Sequence, residues 1–224
     1  KWLNVTGRVK VDNADMDITN KRYAGTDTNF AGEKGLYNIE KRNDRQIYAD
    51  AIANVDLYFA DDYHLTANVG GSIKDVQMDL MGWGGDLRKI PNFFSITNIS
   101  TTSYKEREDG SHVQSQSVFA NVELSWKSML YLTVTGRNDW PSQLAGPHSN
   151  RSSFFYPSVG ASVVLSEIIP NMPKNLSYIK LRASYASVGV AFERFIANPR
   201  YSWNASGLSW NTKTQYPMYD LKPE

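Results

Sequence analysis

The feature that most constrains this chain is its alternation. From Ile47 to Phe59 every second residue is apolar (Ile47, Ala49, Ala51, Ala53, Val55, Leu57, Phe59), and the residues between them are mostly polar (Tyr48, Asp50, Ile52, Asn54, Asp56, Tyr58). A period of two is what a strand with two unlike faces requires. The same pattern recurs over 3–11, 63–73, 118–126, 130–136, 155–165 and 179–185. Across these seven segments the apolar register holds 37 residues and none is charged; the opposite register, counted with the flanking Trp2, Lys74, Arg137 and Tyr178, holds 34, nine of them charged. One face of each strand therefore meets something that excludes charge, either a protein core or lipid.

Length and side-chain size favour lipid. Strands of soluble domains run about 5–6 residues, whereas 47–59 is thirteen. A tilted strand crossing a hydrocarbon layer needs about 9–11. Ala49, Ala51, Ala53, Ala67, Ala120, Ala161 and Ala183 all lie in the apolar register. A sandwich core needs volume between its sheets, while lipid adapts to small side chains. No run approaches eighteen consecutive apolar residues, so no transmembrane helix is expected; a strand-built wall keeps its mean hydropathy low and is not excluded by that.

The connections are expected to alternate: long over 12–46, tight at 60–62, long over 77–112, tight at Lys127-Ser128, then 139–154, a compact turn over 167–175, and a last long excursion over 189–220. Outer-membrane barrels alternate in this way, with short periplasmic turns and longer external loops. Phe59, Tyr63 and Trp126 near the tight turns suit an interfacial aromatic girdle. Seven strands leave two bare edges, and bacterial single-chain barrels have even strand numbers, so the expectation is a section of a larger wall, with 1–224 forming part of a single barrel domain.

Several motifs carry a resemblance. Tyr156-Pro157-Ser158-Val159-Gly160-Ala161 followed by Leu165-Ser166-Glu167 resembles the F-P-S-V-S-A-x-x-x-x-S-E strand of SusC/RagA-type TonB-linked outer-membrane proteins. Lys180-Leu181-Arg182-Ala183-Ser184-Tyr185, then Gly189, is similar to that family's K-L-R-A-S-Y-x-x-x-G strand. Thr135-Gly136-Arg137-Asn138-Asp139 is similar to its R-x-D strand end, and Leu221-Lys222-Pro223-Glu224 to its L-K-P-E segment. Departures are Val163 where an aromatic is frequent, Val190 where Asn often follows the Gly, and Asp139-Trp140-Pro141-Ser142-Gln143 in place of D-G-S-S-R-F. The resemblance implies an all-β fold, an antiparallel transmembrane β-barrel segment of about seven strands from a barrel of about 22 enclosing a plug. It implies a TonB-dependent importer in the outer membrane of a Gram-negative, Bacteroidetes-like cell. Such an importer takes up glycan oligomers or peptides with a SusD-like lipoprotein lid. Plug and TonB box would lie outside this stretch.

The remaining chemistry points to transport rather than catalysis. The net charge is +1, which excludes a chain-wide basic surface for nucleic acid. There is no Cys. His64, His112 and His148 are too scattered for a metal site, and no nucleophile, phosphate-loop or zinc-protease motif occurs, so neither metal nor cofactor is expected. Met81-Gly82-Trp83-Gly84-Gly85-Asp86 lacks the strand-to-helix context of a phosphate cradle, and Asp61 with Asp62 is expected to be turn chemistry. The ligand-contact candidates are aromatics expected in the external loops: Trp83, Trp140, Tyr201, Trp203 and Trp210, with Phe93 and Phe94 beside them. Lumen-facing Arg137, Lys180 and Arg182 would either line a polar interior or pair with plug carboxylates, and a plugged barrel favours the pairing. The competing expectation is a soluble, secreted all-β carbohydrate-binding or adhesion module, with the apolar faces packed sheet on sheet; an enzyme on a β-scaffold comes third.

Overall fold

In the computed structural model the seven alternating segments are seven neighbouring strands of one antiparallel sheet, ordered as in the chain: β1 (Leu3–Tyr23), β2 (Gly35–Phe59), β3 (Tyr63–Asp86), β4 (Lys105–Trp126), β5 (Leu130–Pro141), β6 (Phe154–Val164) and β7 (Lys180–Ala186). A second, two-stranded sheet pairs β8 (Ser202–Asn204) with β9 (Ser209–Asn211). One helical turn, α1 (Leu165–Ile168), follows β6. The structure describes residues 2–146, 152–169, 178–189, 193–196, 198–204, 207–211 and 218. His148, Val190, the middle of the 167–175 turn and the Leu221-Lys222-Pro223-Glu224 motif lie outside them. No helix among the described residues is long and apolar enough to cross a membrane.

The chain divides into two compact units. The first comprises Lys1–Val9, Tyr48–Lys74 and Gln114–Glu224. In it the strand register brings the charge-free faces of β4 to β7 together. Trp126, Leu124, Val122 and Ala120 of β4 lie opposite Leu130, Leu132, Val134 and Gly136 of β5. Those four lie opposite Val163, Ala161, Val159 and Pro157 of β6. Val163, Ala161 and Val159 in turn lie opposite Leu181, Ala183 and Tyr185 of β7. Directly opposed residues share a face. On β2 and β3, Phe59 and Tyr63 stack at 5.4 Å beside the turn, on the same register.

That face is open. None of the 37 residues is buried, and Val9 (75%), Leu132 (48%) and Tyr185 (72%) are among its exposed large side chains. The buried side chains of the sheet in this unit all lie in the other register: polar Asp50, Ser117 and Ser125, and apolar Phe154 and Val164 at the two ends of β6. This inverts the arrangement of a water-soluble sheet.

The tight turns follow from backbone conformation. Ala60 and Asp61 have φ of 48° and 55°, and Lys127 and Ser128 have 50° and 57°. Two successive positive φ values give the hairpin turn whose twist matches that of its strands. The two turns are adjacent: Lys127 N–H donates to Asp62 O at 2.7 Å, and Lys127 Nζ stands 3.5 Å from Asp62 Oδ2.

The second unit, Lys10–Ile47 and Asp75–Val113, corrects the expected loops. Much of 12–46 and 77–112 is strand: β1 continues to Tyr23, β2 begins at Gly35, β3 continues to Asp86 and β4 begins at Lys105. The connections shrink to 24–34 and 87–104. Here both faces carry charge, so hydrophobic alternation vanishes although the strands persist. Cross-strand polar contacts take its place: Asn43 Nδ2 to Asp15 Oδ1 at 2.6 Å, Lys41 to Asp17 at 3.5 Å, and Arg107 to Glu40 at 3.5 Å. The 87–104 loop is organised by buried Asn98. Its Oδ1 accepts from Lys89 and Ile90 N–H at 3.1 and 3.2 Å, and its Nδ2 donates to Ile90 O and Phe93 O at 2.8 and 2.9 Å.

A charge placed on the open apolar face should be costly and one on the other face tolerated. For Val134→Arg we expect folding into lipid vesicles to be destabilised by about 2–4 kcal/mol if the site is near mid-membrane. Thr135→Arg, one residue on, should cost far less. Denaturant titration of vesicle-inserted protein checks the pair, and equal costs would contradict the assignment of faces.

Candidate functional site: a paired polar face and an aromatic hairpin

The polar face of the first unit is a continuous set of side-chain pairs. Arg8 donates from Nε and Nη2 to the two carboxylate oxygens of Asp50, at 3.0 and 2.9 Å. The Asp50 side chain is fully covered while that of Arg8 is 62% exposed. A bidentate fork gives both charge and geometry. Asn68 Nδ2 donates to Asn54 Oδ1 at 2.7 Å, and Asn121 Nδ2 donates to Asn68 Oδ1 at 3.4 Å, making an amide ladder across β2, β3 and β4. Asn121 Oδ1 is buried without a hydrogen-bond donor among the described residues. His64 lies flat on Tyr58 at 4.0 Å and its Nε2 is 2.9 Å from Asp56 Oδ1. Thr133 donates to Glu123 at 3.1 Å.

Arg137, Lys180 and Arg182 all lie in the register opposite the charge-free one. Arg137, on β5, donates from Nε to Asp139 Oδ1 at 2.7 Å and from Nη2 to Ser117 Oγ at 2.9 Å. Its guanidinium lies 5.9 Å from the centre of the Phe119 ring. That ring covers Gly70, where a Cβ would stand 2.9 Å from Phe119 Cζ and 2.7 Å from Ala51 O, so only glycine leaves room. Lys180, on β7, holds its ammonium 4.4 Å over the Tyr131 ring. Arg182, two residues on, is exposed and makes no ion pair among the described residues.

The aromatic candidates separate. Trp203 and Trp210 are opposed in register across β8 and β9 and meet edge to face at 5.2 Å. Both are exposed, at 52% and 66%, with exposed Tyr201 and Leu208 beside them in sequence. Asn204 Oδ1 accepts from Gly207 N–H at 3.1 Å and closes the hairpin. Trp83 and Trp140 are on strands β3 and β5, not in loops. The 139–154 connection shrinks to 142–153, because β5 continues through Pro141. Phe94 is a packing residue of its own loop: it meets Tyr23 at 5.0 Å and Tyr37 at 5.9 Å, with Lys21 at 5.6 Å. Phe93 stays exposed. Among the described residues no cluster of His, Asp or Glu could hold a metal ion.

The structure adds functional-face residues that motif reading missed: the Arg8–Asp50 fork, the Asn54, Asn68 and Asn121 ladder, and Phe119. One signal was available. Asn54 and Asn68 stand symmetrically about Asp61 in the tight turn, so hairpin register alone opposes them.

No protein-family model matches the chain, and no curated protein matches it in sequence. Solved structures do match its fold. The RagAB peptide transporter superposes with a TM-score of 0.81 and 18% identity, over 97% of this chain and 24% of that one. The RagAB peptide importer in its open-open state gives 0.80 and 18% over 100% and 25%. Its closed-closed state gives 0.76 and 17% over 96% and 24%. The chain spans about a quarter of the length of these structures. The fold implied by the SusC/RagA resemblance is the fold found.

The Arg8–Asp50 pair should behave asymmetrically. Arg8→Met leaves a covered carboxylate without its cation, and should lower the unfolding temperature more than the double change Arg8→Met with Asp50→Leu. The heat-dependent gel shift of the folded protein measures both, and the reverse order would show that the pair is peripheral.

Proposed function

We propose that this chain forms part of the wall of a TonB-linked outer-membrane importer of the SusC type, working with a SusD-like surface lipoprotein on peptides or glycan oligomers. The observation that carries the proposal is the open, charge-free face of the first unit. Leaving so much apolar surface in water would be unfavourable at roughly 25 cal/mol per Å², whereas hydrocarbon accepts it. The likeness of fold to the RagAB peptide transporter supports the same reading.

The soluble-module alternative needs protein over that face. Among the described residues the other sheet is a hairpin of two three-residue strands, too small to cover it.

In this reading the polar face lines the lumen. Arg137 and Lys180 stiffen that wall, and exposed Arg182 is the cation best placed to meet a plug carboxylate. The Trp203/Trp210 hairpin, with Tyr201, offers flat apolar surface with polar edges, which suits a sugar ring or a peptide side chain. Trp83 and Trp140 are the secondary contacts.

Two measurements test this. The protein should need detergent for extraction from the outer-membrane fraction and shift in gel mobility on boiling; recovery in the aqueous fraction would overturn the membrane assignment. Trp203→Ala with Trp210→Ala should weaken uptake of oligopeptide or oligosaccharide by about tenfold or more, as loss of an aromatic hot spot does. Unchanged uptake would remove the hairpin from the ligand path.

A further inference from the structure

The charge-free face is not evenly filled. Between β4 and β7, beside the Lys127-Ser128 turn, it opens into a hollow of about 660 Å³. Trp126, Leu130, Leu132 and Leu181 are among its walls, and Ala161 and Ala183, directly opposed in register, belong to its lining. Tyr131, Ser162 and Arg182 also border it, but they belong to the opposite register. The ring of Tyr131 carries the Lys180 ammonium on that other face.

We propose that this hollow holds an acyl chain of a membrane phospholipid, whose phosphate is bound by Lys127. The inference rests on the membrane reading of this face and goes beyond it, since it assigns one lipid to one place rather than a general contact with hydrocarbon. Three observations carry it. The volume lies within the range of about 300–1,000 Å³ typical of small-molecule sites. Apart from the indole N–H of Trp126, the side chains of the apolar register lining it offer no hydrogen-bond partner, so water gains little there and an alkyl chain fits its chemistry. The charge stands at the matching end: Lys127 Nζ lies 5.2 Å over the ring of Trp126, itself a wall of the hollow. Asp62, 3.5 Å away in an exposed pair, is the other neighbour of that ammonium, which has three donors to share. Tryptophan and lysine side by side are what an interface between headgroups and acyl chains selects.

The test uses outer-membrane vesicles from cells producing the protein, loaded with phosphatidylglycerol bearing a photoactivatable group near the end of one acyl chain. After illumination, labelled residues are mapped by mass spectrometry. Residues of the hollow, Leu132, Ala161 and Ala183, should be labelled severalfold more than Val5, Val9 and Val118 of the same face. Ala161→Phe or Ala183→Phe, each confirmed as folded by its heat-dependent gel shift, should bring labelling of the hollow down to that common level. Lys127→Glu should reduce labelling by phosphatidylglycerol severalfold while leaving a diacylglycerol probe of the same chain unchanged. Uniform labelling of the face, or no response to either filling variant, would overturn the site. An equal effect of Lys127→Glu on both probes would overturn the role of the phosphate. Absence of label from the whole face, Val5 and Val9 included, would instead overturn the membrane reading itself.

Discussion

Everything in this sheet depends on keeping two sets of side chains apart across one backbone. The pleat sends successive residues to opposite faces, and pairing in register makes that division continuous from strand to strand. A slip of one residue between β4 and β5 would put Glu123 and Thr133 among the leucines and Leu124 among the charges. The tight turns guard against such a slip. With Ala60, Asp61, Lys127 and Ser128 in left-handed conformations, each short hairpin has one register available, and Phe59 against Tyr63 or Trp126 against Leu130 seals it at the first rung.

How much of this was legible depends on where a solvent boundary runs. Where one face meets a charge-excluding environment, alternation is strict, and the strand ends that lie there could be located within a residue or two. Phe155 to Leu165 was expected and Phe154–Val164 is observed; 179–185 was expected and Lys180–Ala186 is observed. Where both faces are polar the signal disappears although the strand does not. Asp12, Asp15, Asp17 and Lys21 in β1, or Glu106, Arg107, Glu108 and Asp109 in β4, look like loop in sequence. Their strands are held by backbone pairing and by contacts such as Asn43 with Asp15, none of which leaves a periodic trace. Trp83 and Trp140 were assigned to loops for the same reason. Arg137, Lys180 and Arg182 lie in the register opposite the apolar one, as the alternation alone requires. Of their partners, Ser117, Phe119 and Tyr131 were not legible, since they come from other strands whose register only the folded sheet supplies.

The polar face explains why reading its residue types leads to no ligand. Its charges are largely engaged with one another: Arg8 with Asp50, Arg137 with Asp139 and Ser117, His64 with Asp56. A ligand that bound these groups would first have to break pairs already formed, and a covered carboxylate such as Asp50 would lose the Arg8 cation that faces it. A wall built this way is stable because it is self-satisfied, and for the same reason it is a poor instrument of recognition.

In the proposed importer, discrimination would therefore come from side chains whose surface is still open. On the described part of the first unit the paired tryptophans of β8 and β9 meet that condition. Their edge-to-face contact fixes the two indoles against each other with few rotamers left to order, so a planar or ring-shaped ligand would meet a preformed platform and lose little freedom in aligning it. In the proposed importer the wall and the platform would divide the work by the state of their side chains: the wall would contribute rigidity where its polar groups are paired, and the platform would contribute affinity through the apolar surface it leaves exposed.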